Sequence, residues 1–328
     1  MINLTVTSEQ EELISTVARA AGTEFPRTDL VRACVEGTIA PIDDKRWRTL
    51  AELGLFSLSV PEAADGLGLS LADEVLVLVE LGRVPARGPW VGTMLATRIA
   101  AQAGQSDLAG QLMAGEARAG VINGDYVVDA GAGEYGVRVT GEGGELVRIT
   151  AATPVPSSDE AAIVSRVEST EPVASLADPR LLTRLRVLTA AYMIGVAESA
   201  TDMSAEYAKV RHQFDKPIGS FQAVKHRCSE MAIRAYSARA ELYVAALLLE
   251  QDGDEAGVLE GTAAYLLSMQ AARRNVEDNV QNHGGIGVTA EHDAGVLVKR
   301  AQIYSNLGGG SETDLVPILL TAQRTPFN

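Results

Sequence analysis

Apolar residues Phe221, Val224, Cys228, Met231, Ala235, Leu242, Ala245 and Leu249 recur at steps of three, four and seven. This spacing keeps one face of an α-helix apolar over a length of roughly 40 Å, at about 1.5 Å per residue. A strand would throw these side chains alternately to both faces and bury neither. A helix of that length needs partners of similar length. One is expected from about Glu260 to Gln281, and the chain reads as helical from about Leu181 onward. The C-terminal part is therefore expected to be an antiparallel four-helix bundle.

The first third is also helical in pattern. Thr7 or Ser8 can cap a helix, with Gln10 three residues after Thr7 as a capping-box partner. Leu13, Ile14, Val17, Ala18 and Ala21 then form one stripe. Trp47, Leu50, Ala51 and Leu53-Gly54-Leu55 suggest a second helix stopped by glycine. Pro61, Gly66 and Gly68 mark a loop before a helix carrying Leu76, Val79 and Glu80. The character changes near Ala119, where Gly, Val, Thr and Pro become frequent. Tyr135–Val139 and Leu146–Ile149 alternate as half-buried strands do. The fold class is thus mostly α. Its expected divisions are an N-terminal helical domain (1–118), a shortened β domain too small for a large barrel (119–175) and the bundle (176–328).

Composition narrows the partners. A formal net charge of −15 repels nucleic acid phosphates and anionic membrane surfaces, so neither is expected. The most apolar stretch, Val75 to Leu81, is too short to span a bilayer. Cys34 and Cys228 lie far apart without metal or redox spacing, and Met1-Ile2-Asn3-Leu4-Thr5 lacks the basic start of a signal peptide. A reducing, cytoplasmic location is the expectation.

Two C-terminal stretches are far from generic: Arg211-His-Gln-Phe214-Asp-Lys-Pro217-Ile218-Gly-Ser-Phe221-Gln222, and Gln281-Asn-His-Gly284-Gly285-Ile-Gly287 with Glu291 beyond. Arg211 offers a planar, permanently charged fork suited to a pyrophosphate. Phe214 can pack on a flat ring system, Gln222 and Gln281 supply amides, and Gly284-Gly285 lets a ligand approach the backbone without a Cβ in the way. Each residue alone reads as an ordinary helix cap; together they favour dinucleotide binding.

These stretches resemble two signatures of the acyl-CoA dehydrogenase family, R-x-x-F-G-x-P-I-x-x-F-Q and Q-x-x-G-G-x-G. The run from Trp47 to Glu62 is similar to that family's opening helical domain. The resemblance implies an FAD-dependent α,β-desaturation of an acyl-CoA thioester, with electrons passing to an electron-transfer flavoprotein or similar acceptor. It also implies that Arg211, Phe214, Gln222, Gln281, Gly284 and Gly285 hold the ADP portion of an FAD seated mainly in a neighbouring subunit.

The chain departs from the family where its own site should be. The family's glutamate base falls on Gly308, within Ile303-Tyr-Ser-Asn-Leu-Gly308-Gly-Gly310-Ser-Glu312, and two flavin contacts fall on Gly310 and Glu312. An alternative seat for the base, one residue before Arg186, holds Leu185. Glycine and leucine cannot take an α-proton. The middle region lacks the family's flavin and thioester segments. The half-site given to a neighbour is retained and the chain's own half is lost. The resemblance therefore points to the short subunit of an actinobacterial, steroid side-chain type heteromer, α2β2, whose partner supplies the glutamate and shares the FAD. A flavin monooxygenase on the same fold would need a complete flavin site, and a pure scaffold would need neither Arg211 nor Gln281.

Other features weigh less. His212, His226, His283 and His292 lack ligand spacing and read as structural or surface residues. Gly308 to Gly310 reads as a flexible connector, and Glu241, Glu250 and Asp252 as a solvated helix face.

Overall fold

The computed structural model describes residues 5–37, 42–251, 255–310 and 312–321. Six helices come first: α1 (Ser8–Glu24), α2 (Arg27–Glu36), α3 (Asp44–Glu52), α4 (Leu71–Arg83), α5 (Trp90–Gln102) and α6 (Ser106–Met113). Thr7 and Gln10 close the anticipated capping box on α1. Helix α2 stands between the two helices anticipated around Val17 and Trp47, and no sequence signal marked it. It begins after Pro26 without a side-chain cap and buries only Leu30 and Cys34. Trp47, Phe56 and Trp90 stack at the centre of this domain, with the two indoles 4.4 Å apart.

Five strands follow: β1 (Ala119–Asn123), β2 (Tyr126–Val128), β3 (Tyr135–Val139), β4 (Gly144–Val155) and β5 (Val164–Leu176). They close into a small barrel in the order β1-β2-β5-β4-β3, with β1 and β3 parallel at the seam. Closure removes the exposed edges that a short insert would otherwise leave. Ile122, Val127, Val147 and Ile149 fill the interior, so the barrel holds side chains and no ligand.

The chain then runs through α7 (Leu181–Val210), a hairpin of β6 (His212–Gln213) and β7 (Lys216–Pro217), α8 (Gln222–Leu249), α9 (Glu255–His283), α10 (Asp293–Tyr304) and α11 (Glu312–Thr321). Helices α7 to α10 form the bundle. Helices α4 and α7 cross at Gly82 and Gly195, where backbones meet without side chains between them. A Cβ on Gly82 would lie 2.0 Å from the Tyr192 carbonyl oxygen, and one on Gly195 2.0 Å from that of Val79. Among the described residues no helix is long and apolar enough to cross a membrane.

Glu250 is exposed as expected but lies just past the end of α8 and has partners of its own. Its carboxylate accepts the backbone N–H of Leu71 at 2.6 Å and lies 3.8 Å from Arg184, tying the end of α8 to the start of α4. Glu241 is half-buried, and Asp252 lies outside the described residues.

Candidate functional site

Because α7, α8 and α9 alternate in direction, the end of α7, the start of α8 and the end of α9 share one end of the bundle. Tyr207 stacks on buried His283 at 4.1 Å, and Arg227 donates to Asn282 at 2.8 Å. These contacts lock the three helix termini together. Burial holds the His283 imidazole below its usual pKa, and its Nδ1 lies 2.8 Å from the Asn279 carbonyl.

All six residues singled out for cofactor binding lie at this end. Arg211 ends α7 and is exposed, and no carboxylate pairs with it among the described residues. Phe214 and Asp215 form the two-residue tip of the hairpin, both left-handed at φ 53° and 61°. That is the geometry of a tight primed turn, which aspartate tolerates and phenylalanine adopts at a cost of about 1–2 kcal/mol. Phe214 is 85% exposed, more than any other large apolar residue described, and meets Phe221 edge to face. Gln222 opens α8 and Gln281 lies in the last turn of α9, both exposed. Gly284 ends α9 at φ 65°, and a Cβ on Gly285 would meet open space. Val210, Ile286 and Val288 surround these groups as further exposed apolar surface.

The second location contrasts with the first. Gly308 is no flexible connector. Its N–H donates to the Tyr265 hydroxyl at 3.2 Å, that hydroxyl donates to the Ser305 carbonyl at 2.7 Å, and Arg186 Nε donates to the Gly308 carbonyl at 3.3 Å. A Cβ at position 308 would fall 2.6 Å from the Tyr265 ring, which is wholly buried. Burial pushes the Tyr265 phenol up to about 12, so it stays neutral. Arg186 and Gly308, the two landmarks read from the sequence, therefore converge, but a tyrosine fills the space between them. Nothing in the sequence pairs positions 265 and 308. Leu185 is buried.

A third cluster joins the barrel to the bundle. Arg300, fully buried, lies 3.1 Å from Asp159 and donates to the Ala161 carbonyl, while the rings of Tyr192 and Tyr304 stack at 4.1 Å beside it. Among the described residues no group of His, Cys, Asp and Glu could hold a metal ion.

The description "Acyl-CoA dehydrogenase, N-terminal domain" matches residues 7–117, and "Acyl-CoA dehydrogenase, C-terminal domain" matches residues 177–319. The chain belongs to the acyl-CoA dehydrogenase family. It is 36% identical over 298 residues to acyl-CoA dehydrogenase IpdE2 of Mycobacterium tuberculosis, covering 89% of each chain. The Tcur3481-Tcur3483 steroid ACAD (G363A variant) superposes with a TM-score of 0.79 at 25% identity, covering 96% of this chain and 97% of the other. The ChsE4-ChsE5 complex from Mycobacterium tuberculosis shares the fold, with a TM-score of 0.79 at 23% identity over 98% of this chain and 100% of the other. The family matches leave out the whole barrel, which lies between residues 118 and 176.

Proposed function

We propose that this chain is one subunit of a heteromeric, FAD-dependent acyl-CoA dehydrogenase, in which it presents the ADP-binding face to an FAD seated in its partner. The observation that carries this reading is an asymmetry. At one end of the bundle, Arg211, Phe214, Gln222 and Gln281 are exposed beside Gly284 and Gly285, and Arg211 has no ion-pair partner among the described residues. At position 308, the seat of the family's base is filled by Tyr265. A homomer would repeat both features and complete no site.

The outward residues fit the group. Arg211 would meet the pyrophosphate with its planar fork, Phe214 would pack on a ring face, and the amides of Gln222 and Gln281 would supply hydrogen bonds. Gly284 and Gly285 leave room for close approach to the backbone. FAD, when bound, supplies the hydride acceptor for α,β-desaturation. The partner would contribute the carboxylate base and the acyl pocket, and would cover Val210, Ile286 and Val288. The two-component steroid dehydrogenase among the solved relatives supports an acyl-CoA of steroid degradation as substrate.

The test is co-expression with the dehydrogenase-like partner, followed by flavin absorbance and dye reduction. The chain alone is expected to be colourless and inactive, and the complex yellow. Arg211→Ala should lower FAD affinity of the complex about ten- to a hundredfold, with Arg211→Lys recovering part of it. Unchanged FAD affinity in an intact Arg211→Ala complex would leave the scaffold reading in its place.

A further inference from the structure

A separate cavity of about 230 Å3 lies at the other end of the bundle, the length of α7 away from Arg211. It sits where the start of α7, the end of α8 and the middle of α5 meet. Its charged lining is Arg98, Arg180 and Arg184 against Asp178 and Glu250.

The pairing inside this lining is uneven. Arg184 donates to Glu74 at 2.5 Å and to Ser59 at 2.8 Å on the buried side, so its charge is already met from behind. Arg180 pairs with Asp178 at 3.1 Å. Glu250 is committed to the Leu71 N–H. Arg98 is left over. Among the described residues it makes no ion pair, and its Nε is buried without a hydrogen-bond partner. Burial, with repulsion from Arg184, draws its pKa down to about 10, which leaves it charged at neutral pH. Arg98 is partly buried, and Glu74, Asp178 and Glu250 attract it only from beyond ion-pair distance, so a bound anion would give it the direct partner it lacks. The first turn of the 30-residue α7, where Asp178 accepts the Arg180 N–H at 3.0 Å, opens on the same cavity and adds the positive end of its dipole. A larger cleft, about 570 Å3 beside α2, differs on this point. Its principal charges pair among themselves, Arg46 with Asp29 and Arg118 with Asp44.

We propose that this cavity binds a phosphate group, held by Arg98 with Arg180 and the start of α7. Three guanidiniums line this space against two carboxylates, which leaves positive charge in excess, and several forks at different angles suit a tetrahedral oxyanion better than a flat carboxylate.

The experiment titrates the full chain with inorganic phosphate by calorimetry and thermal shift, at ionic strength held constant with chloride. Phosphate should raise the melting temperature, more at pH 8 than at pH 6 as the dianion forms. Acetate at the same ionic strength should not. Arg98→Gln should weaken phosphate binding at least tenfold, and Arg98→Lys should retain part of it. Without phosphate, Arg98→Gln should melt no lower than the natural protein, because it removes a cation that lacks a partner. Glycerol 3-phosphate distinguishes the sources of the ligand. Binding as tight as phosphate assigns the cavity to a phosphate monoester, and weaker binding assigns it to the free ion. Absence of a phosphate response in the natural protein, an equal response in Arg98→Gln, or an equal response to acetate would each overturn the proposal.

Discussion

Replacing Gly308 tests whether Tyr265 fills the space at the position we propose to match the family's base. Gly308→Ala adds one methyl group at a residue whose backbone is not left-handed, so any cost comes from packing. That methyl would lie 2.6 Å from Cζ of Tyr265 and 2.9 Å from its hydroxyl oxygen. The ring must move, and it is enclosed on all sides. Overpacking of this kind costs about 1–3 kcal/mol. Displacing the hydroxyl also weakens its bonds to Gly308 N–H and the Ser305 carbonyl, at about 1 kcal/mol net. A total of about 2–4 kcal/mol should lower the melting temperature of a 328-residue chain by about 3–6 °C. Gly308→Glu should cost more and should not confer dye reduction on the isolated chain, because a base acts only where substrate and flavin are already positioned. In a Tyr265→Leu background, Gly308→Ala should become cheaper by about 1–3 kcal/mol, the coupling expected of residues in contact. Thermal unfolding of the four proteins, followed by circular dichroism, gives the full cycle. Melting of Gly308→Ala within 1 °C or so of the natural protein, or activity in Gly308→Glu, would refute the idea that Tyr265 blocks the seat.

Two further outcomes follow from the geometry. Gly195→Ala should destabilise the protein by about 3 kcal/mol or more, because the added methyl meets the Val79 carbonyl of α4 and backbone cannot give way as a side chain can; a chemical denaturation midpoint equal to that of the natural chain would contradict this. His283 has a folded pKa below its unfolded value, so the unfolded chain binds more protons. Stability should therefore fall as pH drops below about 6.5. His283→Asn should flatten that slope between pH 7.5 and 5.5, and an unchanged slope would remove His283 as its source.

What the sequence determined alone is local. The three-four spacing from Phe221 to Leu249 became α8, Thr7 and Gln10 closed their capping box, and the alternating runs at Tyr135–Val139 and Leu146–Ile149 became strands. Each depends on residues within a turn or a pleat of one another, so the pattern is written in consecutive letters. That position 308 holds a glycine, with no side chain to carry a proton, was legible for the same reason, being a property of one position. Helix α2 escaped because four charged residues among its ten obscure any stripe and only Leu30 and Cys34 reach the core. Closure of the barrel, the seating of Tyr265 against a glycine 43 positions away, and the bond from Glu250 to Leu71 across 179 residues were decided by how finished elements dock. The isolation of Arg98 has the same origin. Whether a charge is paired depends on which distant carboxylates arrive beside it, and spacing along the chain carries no record of that.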